Sequence, residues 1–481
     1  MKQIKGSRGQ GVKGSGVCFH SNPQTLESLN PLFKGKNALV VGLARSGVSA
    51  ANLLYKLGAN VTVTDEKGEE ALSDNVKKLK KGISLKLGGH DSVNINGIDL
   101  TVISPGVLWD SPFLNKIREK GIRIMSEVEL AFQHINAPLI VITGTNGKTT
   151  TTTLTGEILK KGGKKVFVGG NIGNPLCEEV LNGGKSEMVL SEISTFQTEG
   201  IETFKPYISA ILNITPDHLD RHESMDEYIE LKKRVFINQD ENDYMVLNLD
   251  DEITAGFSTE GRGKKIFFSR LKEVENGAFV RGDKIIFKNE GREETVCSLK
   301  DLKLIGVHNI ENTLASVAVS GICGISAKVM KDVISKFKGI KHRMELVREI
   351  RGVRFINDSK GTNVGATVKS LQSFKEPIIL IAGGKDKGSD YLPLKGLIEE
   401  RVKFLILIGD AKKKIAKSLN GFKNKIEADT LENAVKEGFS RAKNGDIVLL
   451  SPACASFDMF RDYEDRGEQF KEIVNKMTID D

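Results

Sequence analysis

LIVITGTNGKTTTTT, Leu139 to Thr153, changes character twice within a short span. Leu139 to Ile142 is an apolar run that reads as a buried β-strand. It breaks into Thr143-Gly144-Thr145-Asn146-Gly147-Lys148-Thr149-Thr150, and a helical pattern follows through Leu154, Ile158 and Leu159. Strand, glycine loop, lysine, hydroxyl and helix together form a cradle for a triphosphate. Glycines let backbone N–H groups face the phosphates, and the helix N-terminus adds its positive dipole end. Lys148 can reach the outer phosphates and Thr149 can ligate Mg²⁺. The general phosphate loop has one further glycine upstream. Ile142 stands there, so this loop is a shortened variant. A plain glycine turn before a helix would not need Lys-Thr directly after the second glycine.

Outward from the loop, chemistry-bearing residues recur at strand ends. Gly169-Gly170-Asn171-Ile172-Gly173 follows a strand over Val166 to Val168, and the strand beginning at Val189 ends at Glu192. An acid after a strand in a phosphate-loop protein is a natural Mg²⁺ ligand, directly or through water. A strand over Ala210 to Ile214 leads to Thr215-Pro216-Asp217-His218-Leu219-Asp220, where His218 can ligate, orient or shuttle protons. A helix over Met225 to Val235 puts Tyr228 and Lys232 on one face; alone, Lys232 reads as a surface lysine. Residues 262–298 read as hairpins, with strands Lys265 to Phe268, Ala278 to Val280 and Ile285 to Phe287. His308, Asn309 and Asn312 precede an apolar helix, Thr313 to Ile322. They can cap it or meet a nucleotide base or ribose.

Upstream, strand Asn37 to Gly42, the turn Gly42-Leu43-Ala44-Arg45-Ser46-Gly47, a helix over Val48 to Leu57 and a strand ending at Asp65 form a βαβ nucleotide-binding opening. Ala44 replaces the second fingerprint glycine, and its methyl group obstructs a pyrophosphate. A nucleotide other than NAD is therefore expected, met by Arg45 and Ser46. A third strand, Leu100 to Ile103, ends in Ser104-Pro105-Gly106, and this unit closes near Ile124-Met125-Ser126. Downstream of the hinge Gly339-Ile340-Lys341-His342-Arg343, four strands (Arg354 to Asn357, Ile378 to Ala382, Phe404 to Ile408, Asp446 to Leu450) alternate with helices. Each carboxyl end carries small or charged residues, which predicts an open parallel sheet with a site along one edge.

Composition bounds the answer. With 481 residues, 39% hydrophobic and 28% charged, the chain fits a globular protein of about three domains. The net charge of +7 is concentrated at the start: residues 1–36 hold Lys2, Lys5, Arg8, Lys13, Lys34 and Lys36 against Glu27 alone. That asymmetry argues against a nucleic-acid surface on the body. Residues 1–32 are glycine-, serine- and lysine-rich without periodicity and read as a disordered extension. Cys18, Cys177, Cys297, Cys323 and Cys454 are scattered, which fits a reducing cytoplasm and buried thiols rather than zinc or disulfides. No run of about 18 apolar residues occurs, so no membrane span is expected.

Taken together, TGTNGKTTT, GGNIG, SEISTFQ, NITPDHLDRH, HNIEN, KHRME, NDSKGTN and LLSPACASFDMFRDYEDRG resemble, in order and spacing, the Mur ligases. These are cytoplasmic, ATP-dependent amide-forming enzymes of peptidoglycan synthesis. The resemblance runs from about residue 34 to 477 and is greatest to the members that add D-glutamate. It implies an α/β fold of three domains, each on a mostly parallel sheet: a Rossmann-like UDP-substrate domain over 33–126, a phosphate-loop ATPase-like domain over 127–340 and a Rossmann-like C-terminal domain over 341–481. It implies that ATP phosphorylates the carboxylate of UDP-N-acetylmuramoyl-L-alanine and that the amine of D-glutamate displaces phosphate. Activation must come first because hydroxide is a poor leaving group, so the chemistry needs charge neutralisation above all.

Carried over residue by residue, the resemblance implies that Gly144, Thr145, Asn146, Gly147, Lys148, Thr149 and Thr150 hold ATP phosphates. Thr149 and Glu192 would bind Mg²⁺, with two ions expected, and Asn171 and His218 would stand near the acyl phosphate and metals. Lys232 matches the family's carbamylated lysine, an anionic oxygen ligand. Asn312, Arg343 and Asp358 would contact ATP from the domain junction. Arg45, Ser46, Asp65, Glu66, Lys67 and Ser104 would meet the UDP-sugar, and Thr362, Lys387, Ser456 and Tyr463 would receive D-glutamate. Lys387 is the natural partner of its side-chain carboxylate. A monomer is expected. Three rivals remain. The first is a sister ligase that adds another amino acid, or glutamates to folate; the diaminopimelate-adding member would show an Asp-Asn-Pro-Arg type motif, and none occurs. A non-catalytic nucleotide-binding module would lose Lys148, Glu192 or Lys232. A dehydrogenase is opposed by Ala44.

Overall fold

A computed structural model of the chain describes residues 32–215, 224–304, 306–386 and 388–478. The expected extension, Leu32 apart, lies outside these residues. So do His218 and Lys387.

Three sheets follow one another along the chain. The first comprises β1 (Asn37–Val41), β2 (Asn60–Asp65), β3 (Ser84–Leu87), β4 (Leu100–Ile103) and β5 (Arg123–Ser126) in the order β3-β2-β1-β4-β5, and every pair is parallel. Helix α1 (Arg45–Lys56) packs on it through Val48, Ala51 and Leu54. Gly47 makes that packing feasible: a Cβ there would stand 1.9 Å from the Gly42 carbonyl oxygen.

The second sheet comprises β6 (Leu139–Thr143), β7 (Val166–Gly170), β8 (Met188–Glu192), β9 (Ile208–Ile211), β10 (Tyr244–Asn248), β11 (Lys264–Ser269), β12 (Gly277–Arg281), β13 (Lys284–Asn289) and β14 (Arg292–Ser298), in the order β14-β13-β12-β11-β10-β9-β6-β8-β7. β6 alternates between two cores. Leu139 and Val141 join one that also holds Val128 and Cys177, while Ile140 and Ile142 meet helices α2 (Lys148–Lys161) and α4 (Val307–Ile322), the helix α3 (Met225–Lys233) lying between them in sequence. Each of these side chains is essentially inaccessible, and each such burial contributes about 1.5–3 kcal/mol.

The hairpin reading of residues 262–298 holds only for β12–β13 and β13–β14. β11 pairs parallel with both β10 and β12. Asp250 turns the chain after β11 by accepting from Ser269 Oγ and Arg270 N, both at 2.6 Å. Short β-rich segments divided by turn residues look alike whether their pairing is local or not. The strand expected to run to Ile214 ends at Ile211, and the helix expected from Thr313 begins at Val307. His308, Asn309 and Asn312 therefore lie within its first turns and do not precede it.

The third sheet comprises β15 (Glu345–Ile350), β16 (Val353–Asn357), β17 (Ile378–Gly383), β18 (Val402–Ile408), β19 (Lys425–Glu427) and β20 (Ile447–Leu450), ordered β15-β16-β20-β17-β18-β19. It is not wholly parallel, because the polar edge strand β15 runs antiparallel to β16. Helix α5 (Tyr463–Lys476) closes the fold, starting from the N-cap Asp462, whose side chain accepts from Asp465 N.

Between the first two sheets the short helix Glu127–Phe132 acts as a joint. Glu129 accepts from the backbone N–H groups of Glu202, Thr203 and Phe204, each at 3.0 Å. Glu127 accepts from Cys177 N at 2.7 Å.

Candidate active site

The phosphate loop is set by the strand end beside it. Thr145 N donates to Asn213 O at 2.8 Å, and Asn146 N to Asn213 Oδ1 at 2.9 Å. Thr145 Oγ1 accepts from Thr215 N and donates to Thr215 O, both at 3.0 Å, and lies 3.1 Å from the Tyr228 hydroxyl. Gly147 caps α2 with φ +86°, and a Cβ there would stand 2.1 Å from Asn312 Oδ1. Only glycine combines that left-handed backbone with that approach. Asn312 is buried, hydrogen-bonding Thr151 Oγ1 at 3.3 Å and Asn309 Oδ1 at 3.1 Å. It thus braces the loop from behind.

Lys148 folds its ammonium over the loop, donating to the carbonyls of Gly144 and Thr145 at 2.9 Å. Lys232 comes to the same loop from α3. Its Nζ donates to Gly144 O at 3.0 Å and Thr143 Oγ1 at 3.2 Å, and its side chain is 2% exposed. The solvated-lysine reading of Lys232 is thereby excluded. Thr149 and Thr150 open α2 beside it.

Glu192 ends β8, whose register sets it opposite Ile142 of β6. It is 1% exposed. Oε1 accepts from Asn171 Nδ2 at 2.8 Å, whereas Oε2 has no hydrogen-bond partner among the described residues. Leaving a buried carboxylate oxygen unpaired is costly. An oxygen so placed suits a hard cation bridged to phosphate oxygens, as Mg²⁺ sites are built. The described residues contain no cluster of three His, Cys, Asp or Glu side chains able to cage a metal alone.

At the carboxyl edge of the first sheet, Asp65 accepts from Leu43 N at 2.6 Å and Lys67 N at 2.9 Å. It therefore shapes the β1–α1 turn. Ser104 Oγ donates to Gly42 O at 2.8 Å. Arg45 is exposed and donates to Gly173 O at 3.0 Å, while Ser46 is half-buried and Glu66 and Lys67 are exposed.

Across from these lie the loops of the third sheet. Burial pushes the Tyr463 phenol up to about 12, with Glu464 raising it further and Arg45 opposing. Arg45 and Tyr463 are thus electrostatic neighbours across two sheets. Burial depresses the Lys360 ammonium, Arg343 adds to that, and Glu192 opposes it. Ser456 is buried and Thr362 half-buried. Asp358 points inward. It accepts from Ser370 Oγ at 2.6 Å and Ser451 Oγ at 2.8 Å, and burial raises its carboxyl to about 6. Burial holds His308 down to about 4, with Arg343 and Lys369 contributing. Arg45, Gly173, Glu192, Lys360 and Tyr463 thus link the edges of the three sheets. Asn312 and Asp358 are buried.

Family models cover most of the chain. The Mur ligase MurD-like N-terminal domain matches residues 36–126, the Mur ligase middle domain 142–320, and the Mur ligase glutamate ligase domain 342–454. This chain belongs to the Mur ligase family. A UDP-N-acetylmuramoylalanine–D-glutamate ligase of Geobacter metallireducens is 48% identical over 92% of this chain and 98% of that protein. Those of Koribacter versatilis and Thermoanaerobacter pseudethanolicus are 46% and 44% identical over 92% of this chain and 98% and 99% of theirs. Among solved structures, the pseudomurein peptide ligase type C of Methanothermus fervidus aligns with TM-score 0.56 and 22% identity over 92% of this chain and 100% of that one. The MurF ligase of Thermotoga maritima in complex with ADP aligns with TM-score 0.56 and 17% identity over 92% and 99%. These two likenesses show the Mur ligase fold.

Asn213, Thr215 and Tyr228 brace the loop, a role that nothing in the sequence around them marks, although helical spacing puts Tyr228 on the Lys232 face. Arg466 was missed as well. Arginine in a polar helix gives no signal of complete burial.

Proposed function

We propose that this chain is an ATP-dependent ligase that joins D-glutamate to UDP-N-acetylmuramoyl-L-alanine in peptidoglycan precursor synthesis in the cytoplasm, as a monomer. The near full-length match to relatives that bear this activity in their name carries the reading. No described helix is long and apolar enough to cross a membrane, which agrees with a nucleotide-sugar substrate.

The residues fit an ATP–Mg²⁺ site because Glu192 Oε2 lacks a partner among the described residues. Glu192 and the Thr149 hydroxyl would hold the ion, with His218 as a further ligand. Bound Mg²⁺ neutralises phosphate charge. The loop amides and Lys148 would orient the γ-phosphate. The alanyl carboxylate oxygen then bonds to the γ-phosphorus while the bridging bond to ADP breaks. Asn171, held on Glu192, borders the resulting acyl phosphate. The amine of D-glutamate attacks the acyl carbon, the C–O bond to phosphate breaks, and the amine gives up a proton. Thr362, Lys387, Ser456 and Tyr463 would seat the amino acid, and Arg45, Ser46, Asp65, Glu66, Lys67 and Ser104 the UDP-sugar. Arg343 would meet ATP from the third domain, with the boundaries near 126 and 340. Lys232, buried against the loop, would react with CO₂, losing a proton to become a carbamate that adds negative charge among few acids.

Purified protein should release phosphate from ATP only with both UDP-N-acetylmuramoyl-L-alanine and D-glutamate present. Turnover with L-lysine or diaminopimelate in place of D-glutamate would move the assignment to a sister ligase.

A further inference from the structure

Among the described residues, Arg466 is the largest side chain with no exposure to solvent. It lies in the first turn of α5, shortly after Tyr463. Its hydrogen-bond acceptors are all neutral. Nε donates to Ser359 Oγ and Nη2 to Ser359 O, both at 2.9 Å; Nη2 also reaches Cys454 O at 3.2 Å, and Nη1 reaches Ala455 O at 3.3 Å. No ion pair joins it to a carboxylate among the described residues. Burying a guanidinium without a carboxylate is expensive, so its value lies elsewhere than in net stability.

The acceptors belong to two loops. Ser359 follows β16 and precedes Thr362, while Cys454 and Ala455 follow β20 and precede Ser456. Ser359 Oγ in turn donates to Tyr463 O at 2.8 Å, closing the circuit onto α5 itself. The second loop is pinned from a third side, where Lys385 N donates to Ala455 O at 2.9 Å. Thr362, Ser456 and Tyr463 are therefore each within a few residues of an atom that touches one planar group. Guanidinium has donors in a rigid fork, and a lysine ammonium cannot reproduce that fork at one point.

We infer that Arg466 is the positioning residue of the amino-acid site: its buried fork sets the spacing between the 359–362 loop, the 454–456 loop and Tyr463, and so the fit of the amino-acid substrate. This rests on the assignment of those residues to D-glutamate. Arg466 itself touches no reactant, and burial holds its guanidinium down to about 10, so its charge is a cost accepted for geometry.

The test uses the full chain with Arg466→Lys, Arg466→Met and Ser359→Ala. Michaelis constants are measured for ATP, UDP-N-acetylmuramoyl-L-alanine and D-glutamate, with thermal unfolding alongside. A sub-ångström spread of the loops should raise KM for D-glutamate by about 10- to 100-fold in Arg466→Lys. The other two constants should rise far less, because the phosphate loop and the UDP-sugar residues lie on the other two sheets. Ser359→Ala should show the same selectivity with a smaller rise, and it decides alone if the Arg466 variants do not fold. Equal rises in all three constants, or an unchanged constant for D-glutamate, overturn the inference. Wild-type protein that turns over with another amino acid overturns the substrate assignment instead, and the comparison is then read on that amino acid's KM.

Discussion

Glu127 at the joint between the first two sheets gives a sharp prediction. Its carboxyl is 1% exposed, Oε1 accepts from Cys177 N, and Oε2 has no partner among the described residues. Burial raises it from 4.5 to about 7, against the pull of the Cys177 hydrogen bonds. At 1.36 kcal/mol for each tenfold in proton affinity, the folded protein disfavours the carboxylate by about 3 kcal/mol relative to the unfolded chain. The group binds its proton more tightly when folded. Its contribution is therefore fully present below pH 4.5 and is lost as pH rises through about 7. Glu127→Gln keeps the acceptor for Cys177 N and removes the ionisation. The stability difference, variant minus wild type, should move in favour of the variant by about 2 to 3 kcal/mol between pH 5 and 8. Other titrating groups cancel in that difference. Urea unfolding followed by Trp109, the single tryptophan of the chain, reads the first sheet and its joint. A difference that stays flat with pH would refute the reasoning, since it would mean that Glu127 ionises as easily in the folded protein as in water.

Three further outcomes are expected. Gly147→Ala places a Cβ 2.1 Å from Asn312 Oδ1 at φ +86°, so it should cost about 2 kcal/mol or more and abolish ATP use; calorimetry and phosphate release check both, and full activity would contradict the loop geometry. Lys148→Ala removes donors to two loop carbonyls and should lower kcat by about 100-fold or more with thermal unfolding little changed; retained turnover would remove the phosphate-loop argument. Asn171→Ala deprives Glu192 of its Oε1 hydrogen bond, and the Mg²⁺ concentration for half-maximal rate should shift several-fold, whereas an unchanged Mg²⁺ dependence would detach Glu192 from the metal.

Residues that act through the backbone were legible in order. Gly144 to Thr149 announce a phosphate loop because a glycine turn, a lysine and a hydroxyl at a helix start have one efficient use, and strand periodicity around them gave the α/β class. β15 was not legible because its residues, Glu345 to Ile350, neither alternate nor form an apolar run, and its pairing with β16 is irregular between Leu346 and Arg348. The parallel β10–β11–β12 ladder was hidden because pairing direction is a long-range property. Lys232 looked like any helical lysine by its neighbours. Only packing against Gly144 and Thr143 makes it 2% exposed.

The linear order of residues determined what each strand end could offer: main-chain amides, one ammonium, a carboxylate and small side chains. Tertiary structure alone decided which of these meet. It set Glu192 beside β6 with one oxygen unpaired among the described residues, buried Asp358 and Asn312, and surrounded Arg466 with neutral acceptors. The physical reason is that burial and hydrogen-bond geometry depend on atoms far apart in the chain, whereas turn conformation and hydrophobic period depend on neighbours.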